Sequence, residues 1–241
     1  MNTIKIQSKQ VKMIAHRGVS GLERENTCAA FVAAGNRSYY GVETDVRMTT
    51  DGQFVIMHDD TTDRVSGGAY NIRVEENTYQ AIKDIVLPDI DGSSHRQDIR
   101  IPLLQDYIML CKKYDKTSVL EVKTHLTEEA MRRMVAEIEA IGYLEHVIFI
   151  SFCLENCILL RKLLPENDVQ WLVGDVTEEI IWTLIQYRLN LDVQYGALTK
   201  ERVDYLHNKG ILVNCWTCDN KEDAERLVDM GVDFLTTDIL E

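Results

Sequence analysis

The sequence predicts an α/β chain closed into a (β/α)8 barrel, with a small insertion after the second strand. Three observations carry that expectation. Eight β-rich runs alternate with helical stretches, the pattern of a parallel sheet with crossover helices. The length of 241 residues is close to the roughly 250 that one such barrel takes. Hydrophobic residues make up 45%, with only 3 prolines, so a large core can form and extended disorder is excluded. One domain is therefore expected over residues 1–241, without linker, sequence repeat or low-complexity segment.

The first run, KMIAHR (12–17), leads into NTCAAFVAAGN (26–36), whose apolar residues recur at helical spacing. Glu25 and Asn26 stand where a cap for that helix is needed, and Asn is a good cap residue. The second run is GVETDVRM (41–48), and the unit after it is irregular. An extra β-like run, GQFVIMHDD (52–60), is followed by a polar, glycine-containing stretch up to Pro102 and the helix PLLQDYIMLCKKYD. The insertion thus covers about residues 60–101, on the face where barrels keep their active sites. The third run is SVLEVKT (118–124), and the helix TEEAMRRMVAEIEAIGY behind it opens with a threonine and two acids. VIFISF (147–152), VQWLVG (169–174) with the helix TEEIIWTLIQYRL, and LDVQYG (191–196) come next. ILVNCW (211–216) precedes KEDAERLVDMG, a helix closed by Gly231, and VDFLTT (232–237) is the eighth run. Met48, Met57 and Met109 are expected to fill the core.

Formal net charge is −13. That excess argues against nucleic acid and against docking on anionic membranes. It would also repel an anionic substrate unless a bound cation inverts the local field. MNTIKIQSKQ holds no run long enough for a signal peptide and no stretch reaches membrane-spanning length, so the cytoplasm is expected. There the six cysteines should be reduced. Cys215 and Cys218 have metal or redox spacing, and Cys153 and Cys157 would be their partners. However, Cys215 lies inside a β-like run, where the two would face opposite sides, which favours buried free thiols.

In a barrel, functional groups gather at the C-terminal ends of the strands. His16 and Arg17 end the first. Glu43 and Asp45, two apart on the second, point the same way, as do Glu121 and Lys123 on the third. His58 and Asp59 end the extra run. Singly, each has an ordinary explanation: a hydrogen-bonded core histidine, a charged barrel rim, a salt bridge. Their occurrence together at successive strand ends does not. Three carboxylates are hard oxygen donors suited to Ca²⁺ or Mg²⁺, and a cation relieves their mutual repulsion. Arg17 offers a fork for phosphate oxygens, and Lys123 adds a point charge. Two histidines that titrate near neutrality suit acid–base work. Together these groups point to phosphodiester hydrolysis.

The blocks HRG (16–18), ENT (25–27), ETD (43–45), TDGQFVIMHDDTTDRVSGG (50–68), IPLLQD (101–106), LEVK (120–123), SF (151–152), CWT (215–217) and TTD (236–238) resemble a glycerophosphodiester phosphodiesterase over essentially the whole chain. The resemblance implies a TIM barrel that cleaves glycerophosphodiesters to glycerol 3-phosphate and an alcohol with a divalent metal. It implies His16 and His58 as the acid–base pair, Glu43, Asp45 and Glu121 as metal ligands, and Arg17 and Lys123 at the phosphate. It places Trp216 in the substrate pocket and allows Glu25 or Asn26 to touch the metal or phosphate. Some positions depart from the family pattern: Arg24 replaces a frequent proline, Cys218-Asp219 follows Trp216-Thr217, and Ile239 replaces a proline. These changes touch the pocket rim and the barrel closure, and bear on substrate preference.

The rival readings are a related enzyme acting on lysophospholipids and a barrel that only binds a phosphorylated ligand. The first needs an apolar tail groove, and the acidic insertion offers little for one. The second should have lost some of the seven polar site residues, and all are present. Head-group preference, the physiological metal, the acid among the histidines, the nucleophile and the oligomeric state are not legible in the sequence.

Overall fold

The computed structural model describes residues 2–93 and 95–241. Eight parallel strands close into a TIM barrel: β1 (Lys12–Ala15), β2 (Gly41–Met48), β4 (Thr117–Val122), β5 (Val147–Ser151), β6 (Val169–Val173), β7 (Asn190–Gln194), β8 (Val213–Trp216) and β9 (Phe234–Thr237). Each pairs with the next in that order, and β9 pairs back onto β1. The intervening strand, β3 (Phe54–Ile56), is antiparallel to β2 with Val46 opposite Ile56. Met57 extends that ladder by donating its amide to the Asp45 carbonyl. The hairpin therefore carries His58 back along β2 to the mouth, beside the Thr44–Asp45 stretch.

Helices wrap the barrel: α1 (Cys28–Gly35), α2 (Tyr79–Ile82), α3 (Leu104–Tyr114), α4 (Glu128–Ile141), α5 (Leu154–Leu163), α6 (Glu178–Tyr187), α7 (Lys200–Asn208) and α8 (Lys221–Met230). Their starts follow from side-chain chemistry. Thr27, Thr127, Thr177, Thr199 and Asn220 each accept a hydrogen bond from the amide three residues on. Gly142 and Gly231 close α4 and α8 in the left-handed conformation. The main core lies between helices and strands. Inside it, Phe31 and Tyr107 meet edge to face, and the Tyr107 hydroxyl donates to the Val42 carbonyl, which hooks α3 onto β2. Among the described residues no helix is long and apolar enough to cross a membrane.

Several expectations need correcting. The first strand ends at Ala15, so His16 and Arg17 belong to the turn after it, and Lys123 likewise follows the end of β4. The insertion is not merely a polar stretch. It buries Val65, Val74, Ile82, Ile85, Leu87, Ile99 and Ile101 against Val55 and Met57 behind the β2–β3 hairpin. Met57 fills that core, but Met109 is half exposed, because it lies on the outer face of α3. Of the cysteines, Cys111, Cys157, Cys215 and Cys218 are buried and Cys28 and Cys153 partly so, all as free thiols.

The barrel interior is small and mixed. Ile14, Val119, Ile148, Ile150, Leu172 and Phe234 form its apolar floor, with Trp216 packed on it. Register decides what else points inward. Glu43 stands opposite Val119, Asp192 opposite Leu172, and Asn214 opposite Phe234. Residues paired across parallel strands face the same side.

Candidate active site

The turn after β1 is folded unusually tightly. Arg17 has φ +51° and Gly18 φ +80°, and a Cβ on Gly18 would lie 2.5 Å from the Ala30 Cβ. Only glycine fits there. This closeness aims the Arg17 amide at Glu43 Oε2, 2.8 Å away. Asn26, also left-handed at φ +56°, donates its side-chain amide to Asp45 Oδ2 at 2.7 Å and accepts from the Thr44 hydroxyl. The helix cap is therefore Thr27, and Asn26 is released to hold a site carboxylate.

Glu43, Asp45 and Glu121 are all buried, and one oxygen of each lies within 4.8 Å of the others. Asp45 and Glu121 are direct register partners on β2 and β4. Burial, then the charge of Asp45, raises the carboxyl pKa of Glu43 and of Glu121. For Asp45 burial opposes ionisation, but Lys123 and Arg17 outweigh it and hold the group below its usual range. Oδ1 of Asp45 is buried and makes no hydrogen bond. A trio of hard donors with an unmet oxygen and raised pKa values fits a divalent cation.

Two cations face this trio. The Lys123 ammonium lies 2.8 Å from Glu121 Oε1 and 3.4 Å from Asp45 Oδ1. Arg17 Nη1 donates to Glu25 Oε1 at 2.8 Å, while its buried Nε makes no hydrogen bond and stands 3.4 Å from Asp45. Glu25 is held in turn by Arg64 of the insertion, whose guanidinium also grips both oxygens of Asp59.

Both histidines are backed by carboxylates. His16 Nδ1 is 2.6 Å from Asp238 Oδ1, and His58 Nδ1 is 2.7 Å from Asp59 Oδ1. Their environments push them apart. At His16, burial works against the charged form, but the Asp238 hydrogen bond and the Glu43 charge overcome it and the pKa rises. At His58, burial leads, Arg17 and Lys123 add to it, and the pKa falls. His16, Arg17, Glu43, His58, Glu121 and Lys123 border one cavity of about 200 Å³, whose far wall is Ile150, Phe152, Leu172, Asp192 and Trp216. Trp216 meets Phe152 edge to face at 5.6 Å. The structure thus brings together all eight site residues read from the sequence: His16, His58, Arg17, Lys123, Trp216, Glu43, Asp45 and Glu121.

The model of the glycerophosphoryl diester phosphodiesterase family matches residues 16–241. The chain belongs to that family. A glycerophosphodiester phosphodiesterase of Caldanaerobacter subterraneus subsp. tengcongensis is 30% identical over 229 residues, 94% of this chain and 93% of the relative. A crystal structure of a glycerophosphodiester phosphodiesterase from Parabacteroides distasonis superposes with a TM-score of 0.77 at 28% identity, over 99% of this chain and 94% of that one. An Oleispira antarctica phosphodiesterase, solved in complex with its product sn-glycerol-3-phosphate, shares the fold with a TM-score of 0.82 at 24% identity, over 97% of this chain and 95% of that one.

Around this family site stand residues that motif reading left without a role. Asp238 lies in the closing TTD block and Asp59 beside His58, yet only the fold brings each onto a ring nitrogen. Arg64 sits five residues beyond Asp59, where no periodicity marks it. Asp192 had one signal: a lone acid between the apolar residues Leu191 and Val193, at an inward-facing position of a barrel strand.

Proposed function

We propose that the chain hydrolyses glycerophosphodiesters to glycerol 3-phosphate and an alcohol, using Ca²⁺ or Mg²⁺ and the His16–His58 pair. The observation that carries this reading is the cavity itself. Glu43 and Glu121 border it, with Asp45 completing a trio of buried carboxylates within 4.8 Å of one another, together with two carboxylate-backed histidines and two cations. Glu43, Asp45 and Glu121 would hold the cation, which when bound supplies Lewis-acid polarisation of the phosphoryl group.

The chain's own groups have separable tasks. Lys123 and the free Nε of Arg17 meet the non-bridging oxygens and balance charge gathering there. Asp59 and Asp238 each accept from Nδ1, which leaves Nε2 of either ring for proton transfer. The raised pKa of His16 suits it to protonate the leaving alcohol, and the lowered pKa of His58 suits it to take the proton of the nucleophile.

Product analysis on a panel of glycerophosphodiesters, with and without EDTA, tests the proposal. Glycerol 3-phosphate should appear only with metal present. Hydrolysis that persists in full in EDTA would remove the cation from the reading. Phosphorus NMR of the time course separates attack by water from attack by the glycerol 2-hydroxyl, since the second passes through a cyclic phosphate.

A further inference from the structure

The cavity has two chemically different ends. The carboxylates, His16, Arg17 and Lys123 come from β1, β2 and β4 and the turns that follow them. The opposite wall, from β5 to β8, is apolar except for Asp192 and the Trp216 indole. Asp192 is 1% exposed, its Oδ1 makes no hydrogen bond, and the charges near enough to act on it (Glu121, Glu43 and Asp168) are all acids. A buried carboxyl with no partner is a destabilising feature that a barrel floor does not require. The other polar side chains of this region are partnered: Asn214 donates to Gln170, and the Thr236 hydroxyl donates to Asn214. Among the described residues, the fully buried side-chain polar atoms of the cavity-lining residues that have no hydrogen-bond partner are, besides Arg17 Nε, Asp192 Oδ1, an acceptor, and Trp216 Nε1, a donor. They lie on adjacent strands, with Asp192 opposite Asn214 and Trp216 opposite Gln194.

An acceptor and a donor on one apolar wall match an alcohol, which can donate to one and accept from the other. Resting on the activity proposed above, we infer that Asp192 and Trp216 form the glycerol-reading end of the cavity: a glycerol hydroxyl donates to Asp192 Oδ1 and accepts from the Trp216 indole. The glycerol carbons lie against Ile150 and Leu172. Phosphate held at Arg17 and Lys123 then anchors one end of the substrate and the hydroxyl pair the other. Leaving a buried acid unpaired in the free protein is offset when the hydroxyl arrives, which gives discrimination against diesters that lack it.

The test uses equilibrium binding, so that it does not depend on turnover. Calorimetry of the metal-supplemented protein compares glycerol 3-phosphate with methyl phosphate, which carries the same anion without the hydroxyls. Wild-type protein should prefer glycerol 3-phosphate. Asp192→Ala should weaken glycerol 3-phosphate by about tenfold, the scale of one lost hydrogen bond to a buried polar group, and leave methyl phosphate unchanged. Asp192→Asn, which keeps an acceptor of the same shape, should retain most of the preference. Trp216→Phe, which keeps a ring and loses the N–H, should weaken glycerol 3-phosphate in the same direction. Thermal stability of Asp192→Ala should not fall. Equal weakening of both ligands, or of neither, overturns the inference, as does a wild-type protein with no preference between them. Failure of the activity proposal would show separately, as absent diester hydrolysis.

Discussion

His16 Nδ1 lies 2.6 Å from Asp238 Oδ1, and the same oxygen accepts from the Ser20 hydroxyl at 2.7 Å. The first and last strands of the barrel thus meet in one hydrogen-bonded dyad. Their backbones join at the same place, since the His16 amide donates to the Thr237 carbonyl at 2.8 Å. Asp238 fixes the tautomer of the ring and helps to raise its pKa. Asp238→Asn should therefore lower kcat by about tenfold or more, with the roughly 10²–10⁴-fold that an acid–base residue contributes as the upper bound. Removing the negative charge also lowers the His16 pKa, so the alkaline limb of the kcat/KM profile should move to lower pH. An unchanged limb would mean that Asp238 only ties the barrel shut.

The opposed shifts of the two histidines make an asymmetric prediction. His16→Ala should lose activity on a diester with a poor leaving alcohol and recover much of it on a nitrophenyl ester, which needs no acid. His58→Ala should be slow on both. Rescue of the His58 variant instead would exchange the two roles.

The carboxylate trio couples metal to stability. Glu43 and Glu121 have folded-state pKa values raised by burial. What they contribute is therefore complete below the ordinary carboxylate pKa of about 4 and lost as pH rises through their raised values. Metal-free protein should thus lose Tm toward neutral and alkaline pH. Ca²⁺ or Mg²⁺ should restore it, by about 2.7 kcal/mol at a metal concentration 100 times Kd. Metal-free Glu121→Gln should gain stability over the parent as pH rises and lose most of the metal-induced increase. Calorimetry across the pH series would expose an error if variant and parent run parallel.

Arg17 separates charge from shape. Its Nη1 is committed to Glu25, and its Nε is buried without a hydrogen bond. Lysine keeps the charge but cannot hold Glu25 and a phosphate oxygen through one planar group. Arg17→Lys should lower kcat/KM markedly and weaken competitive inhibition by phosphate. If the variant loses Tm while product inhibition stays intact, Arg17 serves the carboxylates alone, and the phosphate rests on Lys123 and the metal.

By itself the sequence determined the barrel, because alternating β and helical runs of this number and length have few other ways to bury their apolar faces. It also singled out the eight candidate site residues. Strand-end positions and period-two spacing place Glu43 with Asp45, and Glu121 with Lys123, before any coordinate is known. Local signals ran out where contacts are long-range. Asn26 reads as a helix cap, and only the left-handed turn behind Arg17 turns its amide onto Asp45. Asp238 is 222 residues from His16, and closure of the ring of strands alone makes them neighbours. Arg64 joins Glu25 and Asp59 because the insertion folds on its own apolar cluster behind the β2–β3 hairpin. Asp192 faces the cavity because Leu172, its register partner, does. Each of these depends on how the barrel closes and which strand faces which, and no window of local sequence contains that information.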